Sequence, residues 1–397
     1  MDKLKILCCP ANDGGCSYYR AWAPFAKLQE QFPDLIELRF NKNPLGINEQ
    51  EMSFDPEWGH DDIKWADIVM TQNIANWGGP YTARVIGIAR EYGKFVHYDT
   101  DDLLTNLYEG HRLKQLYKEK GLEEITKFIY QNSDLVTVTQ RKFAHRVREY
   151  CGGVLAVVKN AIDYNLENWN HQWVPPRKKK LVRVGWAGGI HHEEDVKEFA
   201  GVPNLVNQRV GRENVEWHFF GRPPAGQGKQ EDWQYDVWKN YERTLMKGFK
   251  GHKNYYIHDA LPTDKYGIIF AHMDIAIAPL QMNDFNDSKS EIKVAECGRY
   301  KVPLIASNVG CYDETIVNGK TGYLLDANAS KTEWAKVLTN VIKNKPLIRT
   351  MGENLNQITE EYFDLNKVAR QRLQLYKDSF DLRGYPELAK KLEAFDG

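Results

Sequence analysis

The chain has 397 residues, with 53 Lys plus Arg against 54 Asp plus Glu and a formal charge of −1. Hydrophobic residues make up 42% and charged residues 27%, a globular balance that excludes wholesale disorder and, with so little net charge, a dedicated nucleic-acid or membrane-surface coat. The length suits two domains, no run approaches the roughly 20 apolar residues that cross a bilayer, and the start of the chain is too short in apolar residues for a signal peptide, so a cytoplasmic protein is expected.

Short apolar runs alternate with amphipathic stretches from the beginning. Leu4–Cys9, Leu35–Phe40, Ala66–Thr71, Phe95–Tyr98, Leu135–Thr139 and Val154–Val158 read as buried parallel strands, with helices over Tyr18–Gln31, Tyr81–Tyr92 and Arg141–Tyr150. Glu167–Lys180 is polar, holds a Pro-Pro and ends in a basic run, which reads as a solvated interdomain linker. A second alternation follows. Strands are expected at Leu181–Trp186, Val215–Phe220, Tyr255–Ile257, Asp274–Ala278, Pro303–Ala306 and Gly322–Leu325. Helices are expected at Glu194–Val206, Trp233–Lys247, Asp264–Ala271, Ser290–Tyr300, Tyr312–Val317 and Lys331–Lys343, and then a helical tail over Leu347–Phe395. The pattern predicts an α/β protein of two Rossmann-like, doubly wound parallel sheets facing across a cleft. The expected boundaries are 1–166, a linker at 167–180, 181–362, and a helical tail at 363–397 packing back on the first domain. The six cysteines have no zinc or disulfide spacing and read as reduced thiols.

Ligands in such sheets bind outside the carboxyl ends of the strands, so the segments just after strands carry the candidates. The densest is LQMNDFNDSKSEIKVAECG. A helix is expected to start near Ser288 or Ser290, with Asp287, Ser288 and Ser290 all competent caps. Lys289, Lys293 and Glu296 then share one face, placing two ammonium groups and free N–H groups where a diphosphate would bind, and a carboxylate where a ribose diol would bind. A solvated helix face with Lys–Glu pairs is the competing reading. After the first strand, Gly14 and Gly15 form a tight turn ahead of Tyr19 and Arg20, and Arg20 suits a phosphate or a sugar. Asp99, Asp101 and Asp102 follow another strand and suit a sugar or an attacking hydroxyl. A magnesium or manganese site at Asp99-Thr100-Asp101 is the alternative, and no metal is expected. Gly188, Gly189, His191 and His192 form a glycine turn with imidazoles within reach of a phosphate. Arg222 and the basic loop Lys247–Lys253 are further candidates, and Trp58, Trp65 and Trp77 offer faces to sugars or bases.

These segments resemble the donor-binding region of GT-B glycosyltransferases, in particular the retaining family-four (group 1) superfamily. Glu296 matches the second Glu of its Glu-x7-Glu motif, followed by Cys297-Gly298, Val302–Ser307 and Asn318–Gly322, whereas Ser288 stands where the first Glu belongs. The stretches Val184–Asp195 and Asp259–Leu280, and the Gly14-Gly15 to Arg20 turn, look like a branch with a Lys-Ser-x-x-Lys-x-x-Glu pattern. The resemblance implies a nucleotide-diphosphate sugar, UDP-linked by expectation, as co-substrate, no other cofactor, and retention of anomeric configuration. In such a reaction Lys289 is expected to neutralise the diphosphate, and one of Asp99, Asp101 and Asp102 to contact the sugar or the attacking hydroxyl. The acceptor it implies is a glycan, a lipid-linked sugar or a hydroxymethylated nucleic-acid base. The rivals are a nucleotide-sugar epimerase or nicotinamide dehydrogenase, the latter weakened by the lack of any Gly-x-Gly-x-x-Gly after a strand, and a non-catalytic sugar- or nucleic-acid-binding protein.

Overall fold

The computed structural model describes residues 2–48, 53–54, 58–73, 78–170, 181–223, 232–249 and 253–395. Residues 171–180 of the expected linker, part of the 247–253 loop and Trp77 lie outside them.

The strands are β1 (Leu4–Cys9), β2 (Ile36–Phe40), β3 (Ile47–Asn48), β4 (Ser53–Phe54), β5 (Ile68–Gln72), β6 (Phe95–Asp99), β7 (Leu135–Val138), β8 (Val154–Val157), β9 (Val182–Ala187), β10 (Val215–Arg222), β11 (Tyr255–Asp259), β12 (Ile275–Ala278), β13 (Leu304–Ser307) and β14 (Gly322–Leu325). Two six-stranded parallel sheets result, ordered β2-β1-β5-β6-β7-β8 and β11-β10-β9-β12-β13-β14, with β3 and β4 forming a small antiparallel pair. Central strands such as β5, β6 and β7 are buried along their whole length, including the polar His97, Asp99 and Thr137. The edge strands β8 and β11 are only half covered, so their apolar residues do not mark full burial.

The helices that matter for the site are α1 (Ala23–Gln31), α2 (Gly79–Glu91), α3 (Arg141–Val147), α4 (Asp284–Asp287), α5 (Ile292–Arg299), α6 (Lys345–Tyr362) and α7 (Leu365–Arg383). Strand order reverses between β1 and β5 in the first sheet and between β9 and β12 in the second. These switch points open crevices at the carboxyl ends of the strands. The loops after β1, β6, β9 and β12 therefore converge between the lobes.

The tail helix α7 lies on the first lobe. Ala369, Leu373, Tyr376 and Phe380 share a core with Leu4, Ile6, Phe25, Met70 and Phe95. The chain returns through a bridge in which Ile162 N donates to Phe363 O and Leu365 N donates to Ile162 O. Two expected helices, at Asp264–Ala271 and Tyr312–Val317, are instead 3₁₀ turns at Tyr266–His272 and Tyr312–Glu314.

Candidate active site

On the first lobe, the segment after β1 is a short helical turn that widens into a π-turn at Tyr18–Trp22 before α1. Gly14 N donates to Asn12 Oδ1 at 2.7 Å, and a Cβ at Gly14 would press on that same oxygen; Gly15 faces open space. Arg20 does not reach a phosphate. It is fully buried and grips Asp99 with Nε–Oδ1 at 2.7 Å and Nη2–Oδ2 at 2.8 Å. Its remaining nitrogen donates to Val158 O and to Asn160 Oδ1. Asp99 is equally buried and also accepts from Thr137 and Arg372, so it is a core counter-ion without a face on the cleft. Burial alone would raise its carboxyl, but the two guanidinium groups outweigh that and hold it at about 2.

The other two carboxylates do face the crevice. Asp101 accepts from Asn73 Nδ2 at 2.7 Å, and its pKa is pushed up to about 6, first by burial and then by the neighbouring Asp102. Asp102 is partly exposed, with Lys289 Nζ of the opposite lobe 4.0 Å away. Cys16 stands beside both: its sulfur and one oxygen of each carboxylate lie within 4.8 Å of one another. His111 is 8% exposed, and its ring stacks on that of His191, 6.5 Å away across the cleft. Burial lowers the His111 pKa to about 4, so the ring is neutral at neutral pH and has one donor and one acceptor nitrogen. The cluster thus holds two carboxylates, one ammonium and two imidazoles.

On the second lobe the expected helix start shifts. The loop after β12 makes the single turn α4, capped by Asn283, and α5 begins only at Ile292. Ser288 is fully buried, and its hydroxyl donates back to Asp284 O, closing the turn. Asp287 accepts from Lys142, Arg146 and Gly310 N. Neither residue caps α5, and Lys289 lies ahead of it. Ser290 Oγ accepts from Asn160 Nδ2 of the first lobe at 3.0 Å. Glu291 occupies the cap position and is buried against Lys159 and Cys311.

Along α5, Lys293 and Glu296 form an i,i+3 pair at 3.2 Å. The Glu296 carboxylate, 2% exposed, takes Lys293 on one oxygen and the Tyr19 hydroxyl, at 3.0 Å from the first lobe, on the other. Burial opposes the charge on Lys293, yet Glu296 and Tyr266 raise its pKa above the ordinary value. Gly188 packs against the Trp186 ring, where a Cβ would clash, and Gly189 is open. His192 is tied to Asp195 at 2.8 Å, and Asp195 in turn accepts from Gln281 N and Asn286 Nδ2, so His192 braces the loop after β12 instead of reaching into the cleft. Arg222 pairs with Asp259 on the rim. Trp58 is half exposed and donates to Pro44 O, and Trp65 lies under Arg39.

The family model described as glycosyl transferases group 1 matches residues 236–357. Sucrose-phosphate synthase from Thermosynechococcus elongatus superposes with a TM-score of 0.66 at 14% identity, covering 96% of this chain and 100% of that one. The fold is GT-B, and residues 236–357 are similar to the glycosyl transferases group 1 family. Anabaena Alr3699/HepE, solved with UDP and glucose, shares that GT-B fold, with a TM-score of 0.58 at 14% identity over 94% of this chain and 99% of that one. Glycogen synthase from Mycobacterium tuberculosis is 22% identical over 261 residues, and the chain spans 57% of its length. The segment matched by the group 1 model carries Lys289, Lys293 and Glu296, whereas Tyr19, Asp101, Asp102 and His111 come from the facing lobe.

Sequence reasoning missed Asn73, His111, Lys159 and Asn160. Each follows a strand or lies in the irregular segment after β6, so the strand-end rule was the available signal.

Proposed function

We propose that this protein transfers a sugar from a nucleotide-diphosphate donor to an acceptor hydroxyl. The observation that carries the reading is the meeting of Asp101, Asp102 and His111 with Lys289, and of Tyr19 with Glu296, between the two switch points of a GT-B fold. Lys289, with His191 beside it, neutralises the negative charge that builds on the departing diphosphate. Tyr19 and Lys293 hold the Glu296 carboxylate in place, and its remaining lone pairs accept from the ribose hydroxyls. Asp101 and Asp102 hold the sugar or the attacking hydroxyl against an oxocarbenium-like transition state, and His111 donates to a sugar oxygen.

UDP is the proposed nucleotide, in line with the UDP held by Alr3699/HepE. Retention of configuration is proposed from the group 1 resemblance. The acceptor classes are a glycan, a lipid-linked sugar or a hydroxymethylated base. Cys16, Asp101 and Asp102 are close enough to take a divalent cation, but Lys289 already supplies positive charge there, so transfer without added metal is the expectation.

The test is a thermal-shift screen over UDP-, GDP-, TDP- and CMP-sugars, followed by transfer of a labelled sugar. A donor that binds the native state raises its melting temperature. No shift with any nucleotide sugar, at concentrations that saturate a known glycosyltransferase, would refute the assignment.

A further inference from the structure

The tail helix α7 sends Arg372 into the first lobe, where its Nη1 donates to Asp99 Oδ2 at 3.1 Å. Arg20 grips the same carboxylate, and all three side chains are at most 2% exposed. Two buried cations therefore share one anion, and Nε and Nη2 of Arg372 have no hydrogen-bond partner among the described residues. Buried ion pairs are weak stabilisers, and apolar replacements often serve stability as well. A cluster with surplus charge and orphaned donors is poorly explained by stability, so what it holds in place is the better guide to its use.

A second arm leaves the same helix. Tyr376 meets His97 Nδ1 at 2.7 Å, His97 Nε2 meets Thr137 Oγ1 at 2.8 Å, and the Thr137 hydroxyl donates to Asp99 at 2.5 Å. An ionised Asp99 only accepts, so Thr137 must donate to it, His97 must carry its proton on Nε2, and Tyr376 must donate to Nδ1. Every member of the arm has one fixed role, and the carboxylate is held from two directions.

On the cleft side, Arg20 transmits that fixed position to two interlobe contacts. It donates to Asn160 Oδ1 at 3.0 Å, and the Asn160 amide donates to Ser290 across the cleft. Its chain neighbour in the π-turn, Tyr19, donates to Glu296. We propose that Arg372 is a positioning residue for the donor site, acting through Asp99 and Arg20 to present Tyr19 and Asn160 to Glu296 and Ser290. The tail helix is thereby a working part of the cleft. The proposal deepens the glycosyltransferase reading and rests on it for the role of Glu296.

The test compares wild type, Arg372→Met, Arg372→Lys and Tyr19→Phe, with the double variant Arg372→Met/Tyr19→Phe. UDP binding by calorimetry should weaken by roughly tenfold in Arg372→Met, the scale of one lost hydrogen bond to a charged partner, and recover in part in Arg372→Lys. The losses from Arg372→Met and Tyr19→Phe should not add, because both act through one contact. With saturating acceptor, the donor KM should rise more than kcat falls. Hydrogen exchange of the ligand-free protein supplies a readout independent of the donor: residues 18–22 and 290–296 should exchange faster in Arg372→Met, and in Arg372→Lys should that variant alone fold. Full additivity, unchanged UDP affinity in a folded variant, or unchanged exchange in those segments would each overturn the proposal. A wild type that binds no UDP counts against the UDP-donor reading alone, and the exchange measurement still decides on Arg372.

Discussion

Glu296 and Asp101 are the two side chains on which the proposed chemistry turns, and each makes a distinct demand on experiment. Truncating Glu296 to alanine leaves the Lys293 ammonium buried without its counter-charge, a loss on the order of 3–5 kcal/mol, so that variant mixes folding with binding. Glu296→Gln also removes the charge but keeps the shape and an amide oxygen that accepts from Lys293, so it perturbs folding less. It should weaken UDP binding roughly tenfold or more by calorimetry, because an uncharged amide replaces a carboxylate acceptor; an unchanged affinity would remove the ribose from its role. For Asp101, the folded protein holds the proton more tightly than the unfolded chain does, since its pKa is raised from 3.8 to about 6. Its contribution to stability is therefore present below that window and lost as pH rises through it. Denaturant unfolding across the same window should show this slope in wild type and lose it in Asp101→Asn. If the ionised form serves the reaction, kcat/KM must fall on the acid side with a midpoint near 6, and a flat profile there would assign Asp101 to structure. Glu296 was legible because its spacing to Lys293 is local to one helix. The burial of Arg20 and Asp99 was not, because it depends on a tail residue 273 positions away from Asp99.

At the scale of elements, the strands were readable because buried parallel strands need mostly apolar runs, and the sequence supplies them in β12 and β13 and, with one basic residue each, in β1 and β9. The start of α5 was not. Three competent caps precede it, and which of them is used depends on distant partners: Ser288 closes α4, Asp287 answers Lys142 and Arg146, and Ser290 answers Asn160. The π-turn before α1 has the same origin, since a buried Arg20 fixed to Asp99 sets the path of the backbone around it. The position of α5 is in turn fixed by its packing on α6. A Cβ at Gly298 would run into Thr359 Oγ1 and crowd Leu355 O. Gly298→Ala should therefore cost about 1–3 kcal/mol in denaturant unfolding, as overpacking does, and weaken donor binding in parallel because Glu296 moves with the helix. Loss of stability with donor affinity unchanged would show that α5 can shift without moving the site.

At the scale of the whole molecule, the two-lobed architecture was legible from the repeat of strand and helix, whereas the character of the interface was not, because near-zero net charge hides how charge is divided. Cations of the first lobe meet anions of the second around the cleft: Lys142 and Arg146 with Asp287, Arg146 with Asp284, Lys159 with Glu291 and Glu314, and Arg112 with Glu193. Most of these pairs are partly exposed, and such pairs contribute about 0.2–1 kcal/mol each. A rim of them favours closure by an amount small enough to reverse in each cycle of the proposed reaction. Salt screens them, since the Debye length shrinks from about 10 Å at 0.1 M to about 3 Å at 1 M. The radius of gyration of the ligand-free protein, measured by small-angle scattering, should therefore grow with ionic strength, and the donor KM should rise with it. Asp287→Asn removes the anion shared by Lys142 and Arg146, so it should open the lobes at low salt and flatten both salt dependences. Dimensions insensitive to salt in wild type and variant alike would mean that the buried contacts at Tyr19 and Asn160, and not the charged rim, hold the lobes together.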